Sequence, residues 1–426
     1  MRLPHGFKDP RLYAQCLSEC IQIMCLKFAA FHPLDLLLPT GTMFWDEMPV
    51  EWLEWIDGVN SSHVLDALAA LALGIEPTDG IPITLLEWIS CIERLNLPRD
   101  VESEDPVLLN TSSAMNRKKQ HEVQRMAAVV LRVAQEEQIE LVVDVGAGSG
   151  YLTYEIAKHM PVIAVDCDAS MTRRCEKRTN LLSTVECVTE SFDAECLQRI
   201  LCNRSERVML IGLHACGNLA SDTIPSCFLG NDNIVSFICV GCCYHLSTDF
   251  PKSSIFKESG LLLDKGTRKL ACQSFCSFTR ERLKGTWRAQ AYRSMFELFA
   301  STKLSSAVYD RNSRLSLGKM SSDLYNRPWR DYAVAACEKL GIGKSDSNLL
   351  VSGFLNSSTE FDVESIQRRI ALISTIRSFV SPLIESAILM DRFMWLSEYE
   401  MSVTCSNLFD YQLSQRNVVF VGKKLG

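Results

Sequence analysis

The residues best suited to chemistry lie in the peptide LVVDVGAGSGYLTYEIAKHMPVIAVDCD, residues 141–168. One apolar run contains Asp144 near its end, a second apolar run ends at Asp166, and a glycine-rich turn lies between them, with Gly146, Gly148 and Gly150. Closely spaced glycines let the backbone turn sharply and approach a ligand, and an acid that closes the second strand can accept both hydroxyl groups of a ribose. The peptide therefore predicts a strand, a glycine turn, a helix and a strand that bind a nucleoside cofactor.

The spacing of the glycines distinguishes between two classes of nucleoside cofactor. A dinucleotide fingerprint, G-x-G-x-x-G, has its third glycine where Tyr151 stands here. Asp144 would repel a pyrophosphate but suits a cofactor that carries an ammonium and a sulfonium group. The pattern D-x-G-x-G-x-G resembles the first motif of class I S-adenosylmethionine-dependent methyltransferases, which implies that Asp144 orients the methionine end and Asp166 binds the ribose. A bare glycine turn in another doubly wound domain is the alternative.

Further cofactor contacts are expected on the helix before the first strand, where such folds close over the amino-acid end of the cofactor. There the peptide KKQHE, residues 118–122, supplies a lysine and a histidine. We predict that the cofactor is S-adenosylmethionine and that its contacts are Lys119, His121, Asp144, Gly146, Ala147, Gly148, Gly150, Asp166, Cys167 and His214.

Two peptides with histidine and cysteine follow the predicted fourth and fifth strands, LHACG at 213–217 and GCCYH at 241–245. Because active sites of open α/β sheets lie at the carboxyl ends of the strands, both histidines should face one crevice. Methyl transfer requires an aligned acceptor and, for a hydroxyl or amide, removal of a proton, which a histidine can accept. We predict His245 as the base, His214 as an orienting or cofactor-side group, and Tyr244 as a ring near the acceptor or the charged methyl group. The alternative is that both histidines only tie loop backbones together.

Cysteines near these histidines raise the question of a metal. Cys239 and Cys242 form a C-x-x-C pair, Cys243 follows directly, and Cys216 belongs to the earlier peptide. Cys239 falls inside a predicted buried strand, however, and no second C-x-x-C completes a tetrahedral site. We therefore expect no metal, with zinc as the alternative.

The elements that position these residues form an α/β fold with a seven-stranded, Rossmann-like class I methyltransferase sheet. Strands one to five alternate with helices, as a parallel sheet requires, and two C-terminal strands form an antiparallel pair. The third to seventh strands are predicted at 185–188, 207–213, 234–240, 402–409 and 417–423. The predicted division is an N-terminal helical region with a linker, the core, a helical basic insertion that covers the site, and the final strand pair, at residues 1–113, 114–250, 251–400 and 401–426.

Composition limits the location of the chain and its partners. Its 18 cysteines show no framework of even spacing, and no signal peptide begins the chain, so we expect reduced thiols in the cytoplasm or the nucleus, with a mitochondrial location still open. We expect no apolar run long enough to span a bilayer, because Glu19 and Lys27 interrupt the best candidate, Cys16 to Phe31, and therefore no contact with a membrane.

The net charge of −7 is unevenly distributed. Residues 265–330 contain 14 basic and 4 acidic residues, a charge of +10, and nine aromatic residues lie among them. Such a segment could bind RNA by charge and by stacking of bases. A solvated helical face with its aromatic residues in a core is the alternative, and a protein substrate remains a second possibility for the partner.

Several motifs in combination resemble the methyltransferase-like protein 25 family, also described as containing a ribosomal RNA adenine dimethylase domain. They are KKxHEV, DVGAGSGYL, LHACGNLASD, GCCYHLS, LACQS, AYR, LMDR and SQRNVVFVGKK. The resemblance implies a class I methyltransferase fold with cofactor contacts at Asp144, Gly146, Gly148 and Asp166.

The pair H-x-C-G and C-C-x-H is also similar to the signature of eukaryotic tRNA ribose methyltransferases, which implies an RNA 2′-hydroxyl acceptor. Adenine dimethylases carry an N-P-P-[FY]-like tetrapeptide after strand four, where this chain has His-Ala-Cys-Gly. That difference argues against adenine as the acceptor. A protein methyltransferase and a cofactor-binding interaction protein without turnover are the remaining alternatives.

Overall fold

The chain folds into two compact units. We call them the sheet unit, Met1–Leu26 with Arg94–Ser274 and Ser381–Gly426, and the helical unit, Lys27–Glu93 with Phe275–Val380. The predicted segments 1–113 and 251–400 therefore each contribute to both units. The computed structural model describes residues 1–58, 61–76, 80–101, 115–273, 278–309, 317, 320–357 and 362–425.

Seven strands in the described part of the sheet unit form one sheet in the order β3-β2-β1-β4-β5-β7-β6. The first five strands are parallel, and β7 runs antiparallel to both β5 and β6. This confirms the predicted α/β fold and the antiparallel C-terminal pair. The strands are β1 Leu141–Val145, β2 Val162–Asp166, β3 Val185–Thr189, β4 Val208–Ala215, β5 Ile234–Gly241, β6 Met401–Asn407 and β7 Val418–Lys424.

The centre of the sheet is where the site must form. Strands β1 and β5 are buried along their whole length, as expected for parallel strands covered on both faces. The strand order reverses between β1 and β4, and Asp144 lies beside Ala164 of β2 and Ile211 of β4. Ligands of open α/β sheets bind at the carboxyl ends of the strands at such a reversal.

The helix Arg117–Glu136 precedes β1 and presents one apolar face to the core, with Val123, Met126 and Val130 buried. The side chain of Asn116 caps its first turn by accepting a hydrogen bond from the Lys119 amide at 2.9 Å. The cap fixes the residue at which this helix begins. The other helices of the sheet unit are Pro10–Cys20, Tyr151–Ala157, Ala169–Thr179, Ala194–Ile200, Ile224–Leu229, Ser254–Ser259 and Lys265–Leu270, with π-helical turns at Ile21–Cys25 and Leu219–Thr223 and a 3₁₀ turn at Tyr244–Leu246.

The helical unit joins N-terminal and later helices in one core. Arg377 donates hydrogen bonds to the carbonyl oxygens of Phe28 and Ala29, and Thr375 donates one to that of Leu68. These contacts explain why residues far apart in sequence share a unit. Its helices are Leu26–Ala30, Pro39–Asp46, Val50–Gly58, Ser61–Ala72, Ile83–Glu93, Arg280–Lys303, Trp329–Leu340 and Lys344–Ser357, with 3₁₀ turns at Pro33–Asp35 and Ser322–Asn326.

Aromatic residues of the basic segment form part of this core. Trp287 and Tyr292 are buried, the Tyr292 hydroxyl donates to the carbonyl oxygen of Arg327 at 2.8 Å, and the indole of the buried Trp329 donates to the carbonyl oxygen of Tyr292 at 3.0 Å. These rings have no free face for a base. The expectation that they stack RNA bases is therefore wrong for these residues; Phe275 lies outside the described residues.

The longest helix, Val363–Leu396, is long and apolar enough to cross a membrane by length and composition alone. The expectation that no apolar run is long enough to span a bilayer is therefore wrong. It rests on Cys16 to Phe31 and not on this helix. In the structure, 83% of the most apolar window of this helix is buried in protein. This burial is typical of a core helix.

Candidate active site

The glycine turn adopts the conformation that its sequence predicts. Gly146, Gly148 and Gly150 all have positive φ angles, 73°, 56° and 71°, which residues with a Cβ rarely adopt. The amides of Gly146 and Ala147 donate to the carbonyl oxygen of Val165 at 2.8 and 3.1 Å. The turn is thereby anchored over the end of β2.

Asp166 ties the glycine turn to the following loop. One carboxylate oxygen accepts a hydrogen bond from the Gly148 amide and the other accepts one from the Asp168 amide, both at 2.9 Å. Each carboxylate oxygen has a second lone pair, so both can still accept a ribose hydroxyl. Cys167 follows as an exposed residue, and its predicted cofactor contact stays a prediction.

Asp144 is a buried carboxyl group at the end of β1, with only 2% of its surface exposed. Its Oδ2 accepts a hydrogen bond from the Thr153 hydroxyl at 2.7 Å. Burial raises the pKa of Asp144 to about 6, the Thr153 hydrogen bond opposes that rise, and the charge of Asp166 adds to it. A buried carboxylate with so little local compensation would gain from a cationic ligand.

A cavity of about 330 Å³ opens beside these groups, at the lower end of the range for small-molecule sites. Six of the predicted cofactor contacts line it: Lys119, Asp144, Gly146, Ala147, Gly148 and His214. Five polar or aromatic residues that the sequence analysis did not predict join them: Asn116, Lys118, Glu122, Ser149 and Tyr151. The charge, the glycine turn and the volume fit S-adenosylmethionine.

Two cations approach the ring of Tyr151 next to the glycine turn. The Nζ atom of Lys119 lies 4.2 Å from the ring centroid and the guanidinium carbon of Arg178 lies 3.4 Å from it, distances typical of cation–π contacts. The Arg178 Nε also donates to the carbonyl oxygen of Ser149 at 2.7 Å. Tyr151, which occupies the position of the missing third glycine, therefore holds this side of the cavity in place.

His214 is the histidine that reaches the cavity. It has a φ of 61° at the end of β4, an uncommon conformation for a residue with a Cβ. Its Nε2 lies 3.0 Å from the Oε1 of Glu122, and the Ser414 hydroxyl donates to the same oxygen at 2.6 Å. Burial opposes ionisation of Glu122, but the hydrogen bonds from His214 and Ser414 outweigh it and lower its pKa.

Glu122 is a cavity residue that the sequence analysis did not predict. It is 4% exposed and lies on the helix face of Met126, Val130 and Val133. An acid at three- and four-residue spacing from buried apolar residues was the available signal, because such an acid must find a partner inside the protein. The partner is His214.

His121 is hydrogen-bonded to the loop between β6 and β7. Its Nε2 accepts a hydrogen bond from the Asp410 amide at 2.9 Å, and its ring packs edge-on against Phe409. It is not among the residues that line the cavity. The predicted contact of His121 with the cofactor stays a prediction; in this structure its side chain supports the loop between β6 and β7.

Tyr244 is also placed differently from its prediction. It is 2% exposed, and its hydroxyl donates to Glu385 at 2.8 Å. Glu385 in turn accepts from Arg99 at 2.9 Å and pairs with Arg416. Because Tyr244 is enclosed in this buried network, its role near an acceptor is corrected to a role in the core.

His245 lies on the next turn and is partly exposed. Its Nδ1 is 3.7 Å from the Sγ of Cys272, and it is not among the residues that line the cavity. Burial lowers the pKa of His245, and the charges of Lys269, Lys265 and Arg268 lower it further. Its role as the base stays a prediction, while the structure brings His214 to the predicted crevice.

Residues 118–249 match the sequence profile of a family described as a methyltransferase domain. The chain is similar to the probable methyltransferase-like protein 25 of Homo sapiens, with 25% identity over 210 residues that cover 46% of this chain and 33% of that protein. It is also similar to the Mus musculus protein of the same name, with 21% identity over 277 residues that cover 58% of this chain and 44% of that protein. The matches thus span less than half the length of these relatives.

Among solved structures, the crystal structure of coclaurine N-methyltransferase bound to N-methylheliamine and SAH aligns with 97% of this chain and 98% of that chain. The identity is 11% and the TM-score is 0.27, so this alignment is not used as evidence for the fold or the function. The fold rests instead on the strand order, and the cofactor class rests on the glycine-turn cavity and the domain match. On these grounds the chain has a class I methyltransferase fold with a methyltransferase domain match at residues 118–249, and it is similar to methyltransferase-like protein 25.

Proposed function

We propose that the chain transfers the methyl group of S-adenosylmethionine to RNA, with a ribose 2′-hydroxyl as the acceptor. The observation that carries the proposal is the cavity in which Asp144, the glycine turn and the Glu122–His214 pair meet. S-adenosylmethionine supplies, when bound, a methyl group on a positively charged sulfur. The residues of the chain must bind the cofactor, exclude water and accept the proton of the acceptor.

Two carboxylates divide the binding of the cofactor. Asp144 is buried and lines the cavity, so it would attract the cationic methionine end. Asp166 has acceptor capacity beyond its two backbone hydrogen bonds and would hold the ribose. The left-handed glycines between them leave the backbone open to close approach.

His214 is the group in the cavity best suited to accept a proton. Glu122 fixes one ring nitrogen, because its Oε1 lies 3.0 Å from the Nε2 of His214. A carboxylate in this position orients the ring and stabilises the imidazolium that forms when the other nitrogen takes a proton. The uncommon φ of His214 supports a functional role, because such conformations concentrate at active sites.

A positive patch supports RNA as the substrate class. Lys265 and Lys269 are exposed, and their charges and that of Arg268 act on His245 in the turn after β5. This turn follows the carboxyl end of the strand next to β4. Clustered lysine and arginine side chains at this edge would hold phosphate groups near the acceptor.

Transfer of a labelled methyl group distinguishes RNA from the alternatives. Purified full chain is incubated with S-adenosylmethionine labelled in its methyl group and with total RNA or a protein extract. Label in RNA that ribonuclease removes supports the proposal, whereas label in protein points to a protein methyltransferase. No label in either, together with measured binding of S-adenosylhomocysteine, would indicate an interaction protein without turnover. Asp144→Asn is the matched control, since it should lose transfer of any kind.

A further inference from the structure

The loops after β4 and β5 bring three thiols together. The Sγ atom of Cys216 lies 3.1 Å from that of Cys242 and 3.3 Å from that of Cys243, and the last two are 3.5 Å apart. All three side chains are partly exposed, and each offers one ligand atom within mutual reach of a single ion. None of them lines the cofactor cavity.

We propose that Cys216, Cys242 and Cys243 form a three-thiolate site for a thiophilic divalent cation, zinc. Tetrahedral zinc with bonds of about 2.3 Å separates its sulfur ligands by about 3.8 Å. The three sulfur atoms therefore need to move apart by only about 0.3 to 0.7 Å to accept the ion. Three protein ligands leave the fourth position to water.

The geometry favours a shared ion over a disulfide. A disulfide joins two sulfur atoms at about 2.05 Å and leaves the third cysteine out, whereas here the three separations are nearly equal. The site also explains why the C-x-x-C pair of Cys239 and Cys242 does not itself supply two ligands. Cys239 is buried within β5 with its Sγ 3.8 Å from the carbonyl oxygen of Ala220, and Cys216 from the neighbouring loop takes its place.

The ion would fix the surroundings of His214. The thiols of Cys216 and Cys242 lie 3.3 and 3.5 Å from the carbonyl oxygen of this residue. An ion between the two loops would hold the end of β4 to the end of β5 and so keep His214 in its left-handed conformation. Binding replaces the thiol protons by metal–sulfur bonds and releases those protons to solvent.

Titration with Co²⁺ alone, as a spectroscopic substitute for zinc, tests the site without reference to activity. Reduced full chain, stripped of metal with a chelator, should bind one equivalent. We expect thiolate-to-cobalt charge-transfer absorption and the intense visible bands of tetrahedral cobalt, and Zn²⁺ should displace the ion. Cys216→Ser, Cys242→Ser and Cys243→Ser should each reduce the signal to near zero. Cys202→Ser, an exposed cysteine elsewhere in the sheet unit, should leave it unchanged.

Circular dichroism shows which serine variants fold, and Cys216→His, which keeps a metal ligand, should retain one equivalent with weaker charge-transfer absorption. The proposal is overturned if the reduced wild-type chain gives no charge-transfer absorption, or if the absorption survives in folded variants of all three cysteines. It is equally overturned if metal uptake is absent and intact mass shows the loss of two hydrogens that marks a disulfide.

Discussion

At the scale of single residues, the site depends on carboxyl groups held away from water. Asp144 has one side-chain hydrogen-bond donor, Thr153, and its pKa rises because burial disfavours the charged form. Glu122 is also buried, but two donors share its Oε1 and its pKa falls. The two acids thus suit different tasks: Asp144 would be stabilised by a cationic ligand, whereas Glu122 is already paired with His214.

The pKa of Asp144 predicts how cofactor binding depends on pH. Because only the ionised carboxylate attracts the cationic end of the ligand, the affinity for S-adenosylhomocysteine should fall by about tenfold per pH unit below pH 6. Calorimetric titrations at steps of about one pH unit between pH 5 and 8 measure this affinity. In Asp144→Asn the affinity should be about 10- to 100-fold lower at pH 7.5 and independent of this titration. An unchanged affinity in that variant contradicts the assignment.

The raised pKa of Asp144 also predicts how the free energy of unfolding depends on pH. The pKa of Asp144 rises from its usual 3.8 to about 6 in the folded protein. Between these values the folded state binds more protons than the unfolded chain, so this group lowers the free energy of unfolding as pH increases through the window. Asp144→Asn should therefore unfold at a higher urea concentration than the wild type above pH 6, although it binds the cofactor poorly. A lower midpoint than wild type at that pH contradicts the argument.

Two histidine variants distinguish His214 from His245 as the base that accepts the proton. With His214 in the cavity and next to Glu122, His214→Ala should lower kcat by about 10²- to 10⁴-fold. The Kd for S-adenosylhomocysteine should change by less than about tenfold, and His245→Ala should retain most of the turnover. His159→Ala, an exposed histidine, serves as the control. Loss of turnover in His245→Ala with full turnover in His214→Ala would instead identify His245 as the base.

At the scale of elements, the turn between β1 and its helix is tightly constrained at Gly150. An added Cβ at Gly150 would collide with the Sγ of Cys175 and come within 3.0 Å of its Cα, and the φ of 71° already disfavours a side chain. Gly260 has nearly the same φ, 70°, with no atom within 4 Å of an added Cβ. A comparison of the two positions therefore separates the cost of backbone strain from the cost of steric collision.

Gly150→Ala should lower the free energy of unfolding by about 2 to 5 kcal/mol, the sum of backbone strain and overpacking. Gly260→Ala should cost only the strain, about 1 to 2 kcal/mol. Urea unfolding followed by circular dichroism measures both. Equal costs would mean that the packing of Gly150 against Cys175 contributes nothing.

At the scale of the whole molecule, charge is the property that bears on the substrate. The chain carries a net charge of −7, so a polyanion must be held by a local patch. In the sheet unit that patch includes the exposed Lys265 and Lys269. Because Trp287, Tyr292 and Trp329 are buried, the proposed contact with RNA rests on the charge of this patch.

The double variant Lys265→Glu and Lys269→Glu should weaken RNA binding and reduce the slope of log affinity against log salt by about 2, because each lysine is expected to neutralise one phosphate group. Fluorescence anisotropy with a labelled RNA at several salt concentrations measures the slope. Lys257→Glu, an exposed lysine elsewhere in the sheet unit, is the control and should leave the slope unchanged. An unchanged slope in the double variant places RNA elsewhere or argues for a protein substrate.

Apolar patterns and short motifs were enough to predict the fold class, the order of the strands along the chain and the cofactor turn. Apolar periodicity identifies strands within one or two residues of their observed bounds, because buried parallel strands must be continuously apolar. Glycines at fixed spacing and an acid beside them are local requirements of cofactor binding. The positive φ angles of Gly146, Gly148 and Gly150 follow from that local chemistry.

The contacts between polar side chains could not be predicted in the same way. Glu122 and His214 are 92 positions apart in the chain and Cys216 and Cys242 are 26 apart, and nothing in the local sequence specifies their contact. Tyr244 shows the converse, since its place in a promising motif did not reveal that Glu385 holds its hydroxyl inside the core. Local patterns encode backbone conformation and burial, whereas contacts between distant residues depend on how the sheet and its loops are assembled.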